Sequence, residues 1–112
     1  MIDGGHVVIY SKDAEADRAF LRDVLKFPFV DAHDGWLIFK LPPSEVAVHP
    51  SDENGCHEFF LTTDDLDAEM AALRAAGTFC EEPNQQGWGR LTRFSLPGGG
   101  TLGLYQARHA RP

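Results

Sequence analysis

Residues 4–11 (GGHVVIYS) are β-branched and aromatic with no helical period, and they predict a short strand. The period then changes. Asp13 has the carboxylate that a helix N-cap needs to accept from free backbone N–H groups. Ala16, Ala19, Phe20, Val24 and Phe27 recur at three- and four-residue intervals, which predicts a helix ending near Lys26, before Pro28. Lys26 stands where a helix stop usually has glycine. Three strands are predicted next: residues 29–32, 36–41 after the turn signal His33-Asp34-Gly35, and 45–49 after Pro42-Pro43. The polar run 50–55 (PSDENG) reads as a hinge, and after it the pattern restarts. Residues 56–63 predict a strand, Asp64 an N-cap, Leu66, Met70 and Leu73 a helical stripe, and Gly77 a left-handed C-cap. Strands over 78–82, 90–96 and 101–106 follow, separated by QQGWG and PGGG.

Both halves thus read strand, helix, three strands. A shift of 51 positions lays His6 on His57, Asp13 on Asp64 and Lys26 on Gly77, which suggests a duplication within one domain, 1–112, with modules over about 1–50 and 56–106. At 43% hydrophobic with eight Phe, the chain can fill a core without disulfide staples. Ten basic against 17 acidic residues give 10 − 17 = −7, and all 17 acids lie in residues 1–82. An acidic body lacks the contiguous basic face that nucleic acid requires. The longest apolar runs, such as 36–39, span a few residues against the ~20 needed to cross a bilayer, so no membrane partner is expected. Two cysteines and no visible signal peptide lead to the expectation of a reduced, cytoplasmic protein.

Side chains alternate along a strand, so His6 shares a face with Val8 and Tyr10, and His57 with Phe59 and Leu61. If the halves pack about a pseudo-two-fold axis, the two imidazoles converge. They then either begin a site for Fe(II), Mn(II), Ni(II) or Zn(II), or serve as polar residues of a ligand cavity. Trp88, set between two glycines, is suited to a lid or to plugging an open end. Arg90, Arg93, Arg108 and Arg111 make the last 30 residues basic, and either line an anion pocket or dock that segment onto the acidic body. Cys56 cannot pair with His57 within one strand, Cys80 reads as a small buried hydrophobe, and PGGG reads as a hairpin turn.

Three stretches, GGHVVIYSKDAEADRAFLRDVLKF, GCHEFFLTTDDLDAEMAALRAAG and RFSLPGGGTLGLYQ, resemble the vicinal oxygen chelate superfamily of glyoxalases, extradiol dioxygenases and bleomycin-binding proteins. The resemblance implies an α+β fold in which two βαβββ modules pair into a partly open eight-stranded barrel, often around a divalent metal. It implies that His6 and His57 are metal ligands and that the third, a glutamate in metal-dependent relatives, is missing at Gly103. Tyr105, two residues along the same face, is the candidate to move a proton. Two functions follow from it: a metal-dependent lyase or dioxygenase acting on vicinal oxygens, or a metal-free protein that binds or sequesters a small molecule. In the second, Tyr10, Phe59, Trp88 and Tyr105 would hold the ligand with Arg90 or Arg93 at the rim, and Gly103 would open room for it. A homodimer is expected in either case, because a partly open barrel leaves strand edges that seek cover.

Overall fold

The computed structural model describes residues 7, 9, 11–32, 34–44, 47, 52, 57–108 and 110. The first strand expected, except for isolated positions, lies outside them, as does almost all of the one expected over 45–49. The first element is helix α1 (Ala14–Asp23), followed by strands β1 (Phe29–Asp31) and β2 (Leu37–Phe39), an antiparallel ribbon. Strand β3 (Phe60–Thr62), helix α2 (Leu66–Ala75) and strands β4 (Asn84–Gln86), β5 (Gly89–Ser95) and β6 (Thr101–Ala107) complete the chain. The four strands of the second half form one sheet in the order β3-β6-β5-β4, with β3 parallel to β6 and the other pairs antiparallel. This half is therefore a complete βαβββ unit. Among the described residues there are six strands in two sheets, and an eight-stranded barrel is not formed.

The two helices begin alike. Ser11 Oγ accepts from the Asp13 amide and Asp13 accepts from Ala16 N–H; Thr63 Oγ1 accepts from the Asp65 amide and Asp65 accepts from Ala68 N–H. Each cap satisfies donors that a first turn leaves without partners. The second cap is Asp65, not the expected Asp64, so the repeat between helices is 65 − 13 = 52 rather than 51. The exits differ. Gly77 (φ 86°) adopts the left-handed conformation expected of it and Lys26 (φ 58°) adopts it too, but α1 leaves by a wider turn, with Leu25 N–H donating to Phe20 C=O. That wider turn puts one more residue between cap and exit in the first half, and it accounts for the coincidence at 51.

Leucines 102 and 104 of β6 and Phe94 of β5 point to one side of the sheet and pack with Leu66, Met70 and Leu73 of α2. Phe20 of α1 joins them, its ring stacked on Phe94 at 6.1 Å. Asp17, one turn earlier on α1, is buried and accepts from the Gly98 amide at 2.8 Å, tying the first half to the β5–β6 turn. Both helices thus cover the same side of the four-stranded sheet. Cys80 is buried in this core and touches β5 through a single bridge to Phe94, so the strand expected over 78–82 shrinks to that bridge. No described helix is long and apolar enough to cross a membrane.

Candidate ligand-binding face

Residues directly opposite one another on neighbouring strands project to the same side. Phe60 of β3 is opposite Gly103 of β6, which is opposite Arg93 of β5; one step along, Thr62, Tyr105 and Leu91 align in the same way. These side chains occupy the side of the sheet that the helices leave uncovered. Their parity excludes Phe59, which packs against the helix-side core, and Arg90, whose guanidinium holds Asp67 of α2 at 3.1 and 3.2 Å. Arg90 donates hydrogen bonds and adds its positive charge, and so keeps the Asp67 carboxyl below the usual carboxylate range.

Five groups on the open face form a chain of contacts. Trp88 meets Tyr105 edge-on at 5.6 Å, and Tyr105 meets Phe60 edge-on at 5.7 Å. The Arg93 guanidinium lies 5.4 Å from the centre of the Phe60 ring, and its Nη2 donates to Glu58 Oε2 at 2.8 Å. Such edge contacts and a cation over a ring each contribute on the order of 1 kcal/mol. Gly103 lies beneath the Phe60 ring, because a Cβ there would collide with it. The missing side chain is thus filled by Phe60 from the neighbouring strand. Trp88 lies in the two-residue turn between β4 and β5, and its C=O accepts from Arg108 N–H at 2.9 Å. The QQGWG segment, read as suited to a lid or to plugging an open end, is the tip of a hairpin pinned at Trp88. It has to be tight, since a Cβ on Gly89 would strike the Gln106 carbonyl.

Among the residues expected at the site, Trp88, Tyr105, Arg93 and Gly103 come together. Tyr10 and His6 lie outside the described residues. His57 is exposed, three residues ahead of β3. The 52-residue repeat makes Glu58 the counterpart of His6, since 6 + 52 = 58, and Glu58 reaches Arg93 on the open face. Phe60 and Glu58 were not anticipated from the sequence. A shift of 52 set by a cap at Asp65 would have found both, because it lays His6 and Val8, which share a strand face, on Glu58 and Phe60.

The architecture is that of a small α+β protein built on a βαβββ unit, with an aromatic and cationic face on the side of its sheet away from the helices. A sequence model of the Glyoxalase/Bleomycin resistance protein/Dioxygenase superfamily matches residues 5–103, and the chain belongs to that superfamily. Solved structures agree. An antibiotic binding protein from Streptomyces sp. CB03234 is 27% identical, with TM-score 0.66 over 96% of this chain and 99% of its own. A glyoxalase/bleomycin resistance protein from the same organism is 28% identical, with TM-score 0.62 over 86% and 93%. A lactoylglutathione lyase from Agrobacterium tumefaciens, 19% identical with TM-score 0.68 over 90% of each chain, shares the fold. No curated protein sequence matches the chain.

Metal dependence is typical of this superfamily, and the donor set on this face is poor in ligands. Gly103 offers no side chain, and the Glu58 carboxylate is already engaged by a guanidinium. The Arg93 guanidinium beside it competes with a divalent ion for that exposed carboxylate. No three His, Cys, Asp or Glu side chains converge among the described residues. The described groups do not fit a divalent metal.

Proposed function

We propose that this protein binds or sequesters a small aromatic molecule on the open face of its four-stranded sheet, without turning it over. The observation that carries the reading is the Gly103–Phe60 contact. The position that would hold a carboxylate in metal-dependent relatives has no side chain, and an aromatic ring has moved into its place. Trp88 and Tyr105 extend that surface, and stacking and burial need no metal. The antibiotic binding protein among the solved structures supports the same reading.

The complete barrel would contain a second βαβββ module built around α1, β1 and β2, giving eight strands. A second copy of the chain is the proposed cover for the β1–β2 ribbon, where Val30 and Trp36 are 63% and 57% exposed. Sedimentation at micromolar concentration would give a dimer mass, and a monomer would contradict this part.

Thermal-shift screening of planar aromatic antibiotics and phenolic compounds tests the reading. A ligand at a hundredfold above its Kd should add about 2.7 kcal/mol of stability. Elemental analysis of protein purified without chelator gives the contrary outcome. Stoichiometric metal lost on His6→Ala, with melting raised only by divalent ions, would favour the metal-dependent lyase or dioxygenase instead.

A further inference from the structure

We infer that the Arg93 guanidinium is the resident cation of this face, taking by hydrogen bonding the anionic oxygens that a metal ion would otherwise chelate. The ligands are then planar aromatic compounds carrying a carboxylate, alone or beside a phenolic oxygen. The inference rests on the binding reading above and specifies its ligand class.

Three observations place the charge. Arg93 is directly opposite Gly103 in the β5–β6 register, so the glycine leaves the space beside it unfilled by any side chain of its own strand. The guanidinium stands over the Phe60 ring at 5.4 Å, which holds its plane near an aromatic surface that a flat ligand can share. Its hydrogen-bond partner among the described residues is Glu58, at 2.8 Å. The Arg93 and Glu58 side chains are 37% and 68% exposed, so their pairing is screened and weak and the carboxylate can swing aside. A ligand carboxylate can then take over the fork in bidentate geometry while its ring lies along Phe60, Tyr105 and Trp88. Glu58 is in this sense a stand-in anion, held where the ligand's own charge will sit.

The test titrates the full chain with two fluorescent probes, 1-hydroxy-2-naphthoate and the uncharged 1-naphthol, in the presence and absence of EDTA. Wild type should bind the anionic probe more tightly, less so as salt rises, and unchanged by EDTA. Arg93→Gln should weaken the anionic probe by about tenfold to a hundredfold, the range expected for hydrogen bonds to a charged group. Arg93→Lys, which keeps the charge but loses the fork, should fall between. Glu58→Gln removes the competitor and should tighten the anionic probe by about threefold. Naphthol, which has no carboxylate, should lose far less in Arg93→Gln than the anionic probe does, and an unchanged circular-dichroism spectrum shows that each variant is folded. If Arg93→Gln weakened both probes equally or neither, the role of Arg93 would be overturned and the aromatic binding face would stand. Loss of the anionic probe in EDTA would assign the charge to a metal and overturn the inference. If wild type bound neither probe up to millimolar concentration, both the inference and the binding reading would fall.

Discussion

Adding one methyl group at Gly103 tests the packing on which the candidate face is built. In Gly103→Ala the new Cβ meets the Phe60 ring, whose Cγ already lies 3.2 Å from that position and whose edge carbons lie nearer still. The ring has to turn, and it is held on two sides, by Tyr105 at 5.7 Å and by Arg93 at 5.4 Å. Overpacking of this kind costs about 1–3 kcal/mol. Alanine also stiffens the unfolded chain, which returns roughly 0.4–1 kcal/mol. The net expectation is a loss of about 1–2 kcal/mol, or roughly 4–8 °C in melting temperature for a chain of this size. Urea denaturation of wild type, Gly103→Ala, Phe60→Ala and the double variant isolates the contact. If the clash is the cause, the alanine at 103 should cost little once Phe60 is also alanine, giving a coupling of about 1 kcal/mol or more. An equal cost in both backgrounds, or no cost in either, would show that Phe60 does not fill the space of the missing side chain.

Other outcomes follow from the same structure. Asp17→Ala should cost about 1–3 kcal/mol by leaving the Gly98 amide without its acceptor, and Asp17→Asn less; urea titration gives the costs, and hydrogen exchange at Gly98 should rise in the alanine variant. Asp67 is held below the usual carboxylate range by Arg90, so its contribution to stability is present above its unfolded value of about 3.9 and disappears as pH falls through its lower folded value. Arg90→Gln should therefore move the Asp67 titration measured by NMR upward and shallow the stability loss below about pH 4. Burial pushes the Cys80 thiol up, against the opposing charge of Arg74, so iodoacetamide at pH 8 should label Cys80 far more slowly in native protein than in urea. Equal labelling rates would show that this part of the core is open.

Local chemistry made much of this molecule legible. Asp13 capped its helix as expected, and the stripe Leu66, Met70 and Leu73 is the buried face of α2. Lys26 did adopt a left-handed turn that usually calls for glycine. These features depend on a few neighbouring residues, and the sequence states them directly. The candidate face was legible only in part. Two aspartates in succession, Asp64 and Asp65, offer equally good caps, and choosing between them shifts the strand before them by one residue. With a side-chain period of two, that single step exchanges every residue between core and open face.

What the sequence determined by itself is therefore the strand-helix-strand order of the second half, the caps and turns, and membership in a superfamily whose pattern the chain carries. What only the tertiary structure decided is which side of the sheet each residue takes. It put Phe60 rather than Phe59 beside Gly103, Glu58 against Arg93, and Trp88 on a hairpin pinned to the last strand. The physical reason is that strand register is fixed by contacts between segments far apart in the chain. A glycine can signal that a partner approaches closely, but it cannot say which ring arrives.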